Sequence, residues 1–216
     1  MPSVAEIERA LRRRPGQRLD HAGTRRAAVA MVLRPADAGP DVLFIERARH
    51  EGDPWSGHMA FPGGRVDPGD ADARTAAERE TLEEVGLSLR RARLLGRLDD
   101  KQGNPRTRPA LVISAFVYAL SESQELVLNH EVEEAFWFPV RRLLEPRNHV
   151  LYPARDSLEF PGIQVGRPDR HVVWGLTYSF LESFFEVLGR PLPDRWTPSM
   201  RAYARRLDDR ERGSMR

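Results

Sequence analysis

The 216-residue chain contains no cysteine. That absence removes disulfides, cysteine-ligated zinc, iron–sulfur clusters and thiol nucleophiles together, and it fits a reducing compartment. No apolar run approaches the roughly 18 residues of a membrane-crossing helix. The first 30 residues interleave Glu6 and Glu8 with arginines and carry no apolar segment. Neither a membrane partner nor a secretory leader is therefore expected, and the expected location is cytoplasmic. Lysine is almost missing too: of 34 basic side chains, Lys101 is the one lysine.

What is there is an ordinary globular balance of 40% hydrophobic and 31% charged residues, enough for one sizeable core. The sequence pI of about 9.4 invites a nucleic-acid reading, but the charge is unevenly placed. Residues 1–26 hold seven arginines against three acids, residues 199–216 hold six against three, and the stretch between them is net −5 within a total of +2. Basic ends around an acidic centre argue against a nucleic-acid partner and for a site that holds cations.

Ser3-Val4-Ala5-Glu6 has capping-box form, and Ile7 and Leu11 follow at helical spacing. Together they predict a helix over about 3–14 that stops at Pro15-Gly16. Apolar runs at 27–33 and 42–45, divided by a Pro/Gly/Asp turn, read as strands, as do 92–98, 110–120 and the residues around 136–138. Pro139 suits the first turn of a short helix through Leu144, and 149–165 reads as a hairpin-rich segment. From Trp174, the residues Tyr178, Leu181, Phe184, Phe185 and Leu188 mark an apolar helical face closed by Gly189 and Pro191. That face serves either the core or a second copy of the chain; Trp174, Tyr178 and Phe184 read as core. Strands and helices alternate around one core with no repeat or linker, so the class is α/β or α+β in a single domain.

The chemistry concentrates in Gly63-Gly64-Arg65-Val66-Asp67-Pro68-Gly69-Asp70 and in Arg79-Glu80-Thr81-Leu82-Glu83-Glu84-Val85-Gly86-Leu87. On a helix predicted over about 71–85, Glu80, Glu83 and Glu84 fall within an arc of roughly 100°. Ala73, Ala76 and Ala77 lie near the same arc, so the carboxylates are expected to face the protein body, with Leu82 and Val85 as a separate apolar edge. Three carboxylates on one face raise one another's pKa unless a cation joins them. Arg79 supplies one positive charge, and a divalent cation is the better partner. With hard oxygen donors and no thiol, that cation is Mg²⁺ or Mn²⁺. Gly63 and Gly64 let backbone groups approach the ion or a phosphate. The set suits metal-assisted hydrolysis of a polyphosphate.

Gly64, Arg79, Glu80, Glu83, Glu84, Gly86 and Leu87 resemble the Nudix box of the Nudix hydrolase family, G-x5-E-x7-R-E-U-x-E-E-x-G-U with U a bulky aliphatic. Asp70 stands for the first Glu, eight residues separate it from Arg79, and Thr81 replaces the aliphatic. With Phe61-Pro62-Gly63-Gly64 in front, this variant resembles the coenzyme A pyrophosphatase branch, as do Leu98-Asp99-Asp100, residues 131–139 and Trp174-Gly175-Leu176-Thr177. Asp53-Pro54-Trp55-Ser56 stands where that branch places a basic residue.

The resemblance implies a Nudix α/β/α sandwich, a mixed β-sheet between helices. It also implies a catalytic domain over 25–190, preceded by a helix and lead-in over 1–24 and followed by an Arg-rich extension over 191–216. Glu80 and Glu84 would be the principal metal ligands, Glu83 would ligate or assist, and a carbonyl of Gly63 or Gly64 would complete the shell. Arg79 would orient the glutamates. The reaction implied is attack of a metal-activated water on coenzyme A, its derivatives, or another nucleoside diphosphate such as ADP-ribose. In this family the base comes from the box or a later loop. Glu131, Glu133 and Glu134 are candidates for that loop base, or are strand-flanking surface charges. Arg47, Trp55, His58, Arg106 and Arg108 are candidates for substrate contact. Members often form homodimers, and a small nucleotide-diphosphate substrate is the expected partner.

Overall fold

The computed structural model describes residues 2–20, 23–51, 55–103, 110–153, 159–168 and 170–196. The first helix, α1 (Val4–Arg13), begins where the capping box predicts. Ser3 Oγ accepts the Glu6 amide while the Glu6 carboxylate accepts the Ser3 amide at 2.7 Å. The helix stops before Gly16, where a Cβ would lie 2.3 Å from the Leu98 carbonyl carbon. Glycine lets the lead-in cross another backbone there. Asp99 and Asp100 then pin that lead-in: Asp99 accepts the Gln17 amide at 2.8 Å and Asp100 the Leu19 amide at 3.0 Å.

Among the described residues, eight strands form one sheet: β1 (Arg25–Arg34), β2 (Asp41–Arg47), β3 (Met59–Ala60), β4 (Gly63–Arg65), β5 (Arg93–Arg97), β6 (Lys101–Gln102), β7 (Leu111–Ala119) and β8 (Val132–Pro139). The main path runs β3-β2-β1-β7-β5, with β4 also on β1, β6 on β7 and β8 on β2. The pair β1–β7 is parallel, Arg25 opposite Leu111 through Leu33 opposite Ala119, and the other pairs are antiparallel. The sheet is therefore mixed.

Alternation along β1 divides the interior in two. Ala28, Ala30 and Val32 face the helix α2 (Ala73–Val85), whose Ala76, Ala77 and Val85 share their core. Met31 and Leu33 face α1 and the helix α3 (Gly175–Val187), with Ile7, Leu11, Tyr178, Leu181, Phe184 and Phe185. The α/β/α sandwich follows, with the apolar face of α3 spent on this core. A second antiparallel sheet, β9 (His149–Pro153), β10 (Glu159–Gln164) and β11 (Val172–Trp174), lies beside α3.

Three expectations change in detail. Pro139 ends strand β8, and Val140–Leu144 winds as a 3₁₀ turn instead of an α-helix. Leu82, expected on an apolar edge with Val85, is 50% exposed while Val85 is buried, because the helix face that meets β1 is set by its small alanines. Trp174, expected in the core, is half-buried and ends β11 on the outer side of the small sheet. Of the Arg-rich extension over 191–216, everything from 197 on lies outside the described residues.

On the α1/α3 side Phe44 stacks on Phe61, ring centroids 5.4 Å apart, both buried. Phe44→Ala is expected to cost about 3–5 kcal/mol in urea unfolding, the range for emptying a buried aromatic site. A loss below about 1 kcal/mol would refute this packing.

Candidate active site

Two glycines open the site. Gly63 and Gly64 pair through β4 with Val29 and Ala28 of β1. At Gly63, φ is 149° and a Cβ would lie 2.2 Å from the Ala28 carbonyl oxygen, a conformation and an approach that glycine alone tolerates. The Gly63 amide donates to Glu84 Oε2 at 2.8 Å. At Gly64 a Cβ would fall 2.4 Å from the carboxyl carbon of Glu80. The absent side chain is the space in which that carboxylate sits.

Helix α2 starts on Asp72, which accepts the Thr75 amide at 2.8 Å, and stops at Gly86 with φ 68°. The three glutamates leave it at different depths: Glu84 is buried, Glu80 half-buried and Glu83 exposed. Glu83 thus faces water, a correction to the expectation that all three face the body. Thr81, which departs from the box, is buried and donates to the Ala77 carbonyl at 2.6 Å, so its hydroxyl is satisfied inside the helix.

Arg79 is the hub. It grips Asp70 with two prongs, Nε to Oδ1 at 3.1 Å and Nη2 to Oδ2 at 3.0 Å, and donates to the Arg65 carbonyl at 3.1 Å. Its Nη1 lies 3.0 Å from both Glu80 Oε1 and Glu83 Oε2. Asp70 also accepts the Asp67 amide at 2.8 Å, and the guanidinium holds its carboxyl below the usual range. A shorter acid set one residue further from Arg79 therefore still makes a two-pronged contact, the added residue falling between Asp70 and Arg79.

Burial pushes Glu84 up to about 8; the Gly63 amide and Arg47 oppose this, and the charges of Glu80 and Glu131 add to it. The Arg47 guanidinium is 3.9 Å away, too long for a hydrogen bond. Burial also raises Glu80, against Arg79, with Glu83 and Glu131 adding. Two neighbouring carboxylates that resist ionising together, one in a cradle that a Cβ would fill, fit a divalent oxygen-seeking cation.

Arg47 thus lies beside helix α2. Its amide donates to the His58 carbonyl at 3.1 Å; the His58 ring meets Trp174, and Trp55 is 46% exposed. Arg106 and Arg108 lie outside the described residues. Of the later carboxylates, Glu131 is the one whose field reaches both Glu80 and Glu84; its carbonyl accepts the Ala48 amide at 2.8 Å, just beyond β2. Glu133 instead faces Arg170 at 3.6 Å, and Glu134 pairs with Arg167.

Those two belong to a cluster that sequence reading missed. Buried Glu46 is held by Arg170, Nε to its two oxygens at 3.0 and 2.9 Å and Nη2 at 2.7 Å, and lies 3.2 Å from His171 Nε2. Among the described residues, Glu46, Glu134 and His171 are the one trio of acidic or histidine ligand atoms within 4.8 Å of each other. The geometry makes them a clamp. His171 Nδ1 accepts the Arg167 amide at 3.1 Å, so the neutral ring carries its proton on Nε2 and donates to Glu46. A Glu in the apolar run of β2 is the signal that could have flagged it.

The solved NUDIX hydrolase from Alicyclobacillus acidocaldarius shares this fold, with a TM-score of 0.53 and 19% identity over 79% of this chain and 93% of that one. Fold and carboxylate helix together are those of a Nudix-type hydrolase. The NUDIX domain profile matches residues 24–156. Mitochondrial coenzyme A diphosphatase NUDT8 of Mus musculus is 31% identical over 183 residues, 81% of this chain and 83% of that protein. An uncharacterized Schizosaccharomyces pombe protein is 37% identical over 58% of this chain, and the match spans 45% of that relative's own length. The chain belongs to the NUDIX family.

The raised Glu84 has a pH consequence. Its folded value of about 8 lies above the ordinary 4.5, so the unfolded chain releases this proton more readily. Stability of the metal-free protein is full below about pH 4.5 as far as this group is concerned and declines as pH rises toward 8. Urea midpoints in chelator between pH 5 and 8 should fall for wild type and flatten for Glu84→Gln. Equal slopes would refute the buried, ionisable Glu84.

Proposed function

We propose that the chain is a Mg²⁺- or Mn²⁺-dependent diphosphatase that cleaves coenzyme A and its derivatives to 3′,5′-ADP and 4′-phosphopantetheine. The observation that carries the reading is the Glu80–Glu84 pair, both raised by burial and braced from two sides by Arg79 and by the Gly63 amide with Arg47. When bound, a divalent ion neutralises diphosphate charge and lowers the pKa of a water it holds.

The protein's own groups do the rest. Gly63 fixes the Glu84 carboxylate, and Arg79 aligns Glu80 and Glu83. Glu131, exposed and within electrostatic reach of both buried glutamates, takes the proton from the attacking water. Water oxygen bonds to one phosphorus, the bridging P–O bond breaks, and two monophosphates leave. Arg47, at the end of β2 beside Glu84, meets the diphosphate. Preference for coenzyme A is supported by the Asp70 variant of the box behind Phe61-Pro62-Gly63-Gly64, and by the likeness to the NUDT8 proteins of human and mouse at 30% and 31% identity.

The test is mass analysis of products after incubating the full chain with coenzyme A and Mg²⁺ or Mn²⁺. Glu80→Gln and Glu84→Gln should each lower kcat by about 100-fold or more, the scale of losing a catalytic electrostatic group. Turnover of ADP-ribose with coenzyme A untouched would move the substrate to another nucleoside diphosphate. Wild-type rates in both variants would end the reading altogether.

A further inference from the structure

The small sheet has two unlike faces. Ile163 and Val173 point into the core beneath α3, whereas Tyr152, Phe160 and Trp174 are half-buried and join neither apolar core. Register explains how these rings meet. Phe160 stands opposite Tyr152 and Gly162 opposite Trp174, so the middle strand has no side chain between the outer two aromatics. Tyr152 lies across that gap and stacks on Trp174, centroids 4.4 Å apart with 17° between planes. Phe160 adds a ring at 6.1 Å from Trp174.

Through His58 this face reaches the edge of the main sheet beside Arg47. The His58 ring meets Trp174 edge-on at 4.9 Å; the His58 carbonyl accepts the Arg47 amide at 3.1 Å; and Arg47 reaches to 3.9 Å from Glu84. Thr177, in the first turn of α3, donates to the Met59 carbonyl at 3.2 Å, which ties the aromatic ledge to the edge strand β3. A ligand whose phosphate lies at Arg47 has this aromatic surface along the same edge of the sheet.

We propose that His58, Tyr152 and Trp174 form the subsite for the nucleobase of the substrate. The inference rests on the diphosphate reading and adds the end of the molecule that the Nudix box does not touch. Near-parallel rings suit a planar heterocycle, since stacking rewards coplanar π-faces. A flexible aliphatic arm would bury area without needing aligned planes. Gly162 is part of the device, because a Cβ there would lie 2.7 Å from Val172 Cγ1 and 3.6 Å from Tyr152 Cβ, so a side chain would disturb the stacked pair.

The experiment measures binding, not turnover, so that it stands apart from the coenzyme A question. Isothermal titration of the full chain uses adenosine 5′-monophosphate, with inorganic pyrophosphate as the base-free probe. Trp174→Leu is expected to weaken adenosine monophosphate by about tenfold, the scale of one lost stacking contact, and pyrophosphate by less than about twofold. Trp174→Phe, which keeps a ring, should restore most of the affinity. Tyr152→Leu repeats the test from the other half of the stack if circular dichroism shows Trp174→Leu unfolded. Unchanged affinity in Trp174→Leu and Tyr152→Leu, equal loss of both ligands, or no binding of adenosine monophosphate by the wild type would overturn the proposal. Trp174-dependent binding without coenzyme A cleavage would keep the subsite and remove coenzyme A as the substrate.

Discussion

Everything at the active site depends on how closely α2 and β4 approach β1. The contact is built from residues with almost no side chain: Ala28 and Ala30 on the strand, Gly63 and Gly64 on its antiparallel neighbour, Ala76 and Ala77 on the helix. Larger residues at any of these positions would move the helix outward, and the Gly63 amide would no longer reach Glu84. Close packing is thus a condition of the electrostatics. It strips water from Glu84, and stripping water raises a carboxylate's affinity for any positive partner.

The charges around that contact are arranged so that one cation serves several carboxylates. Arg79 divides its guanidinium among Asp70, Glu80 and Glu83 and the Arg65 carbonyl. This use requires the planar fork of arginine, which a lysine ammonium cannot reproduce. On the opposite face of the sheet, the cluster of Glu46, Arg170 and His171 fastens the small sheet to β2 one residue before Arg47. The two charge networks lie on opposite faces of the main sheet, one on the carboxylate helix and the other against the element that carries Trp174.

The box was legible because its logic is local. Helical spacing collects the glutamates, a pair of glycines announces close approach, and a turn accounts for Asp70. Depth was less legible: spacing placed Glu83 with its neighbours, but the tilt of α2 on β1, set by Ala76 and Ala77, leaves Glu83 in water. Arg170 and His171 were invisible because their partner Glu46 is more than 120 residues away, and no local pattern records such a pairing. Trp174 was misread for a related reason. Its helical neighbours Tyr178 and Phe184 do enter the core, but Trp174 itself ends a strand whose outer face is decided by register with Gly162.

The parallel pairing of β1 with β7 has a consequence for how the protein comes to be folded. Arg25 lies opposite Leu111, and the entire box is encoded between these two strands. A nascent chain that has just completed Leu87 already contains every box residue, yet the strand that seals one side of β1 has not been made. Closing a loop of that length costs entropy before any contact repays it, which makes such topologies slow to form. The acidic helix therefore exists as sequence well before the burial that sharpens its chemistry.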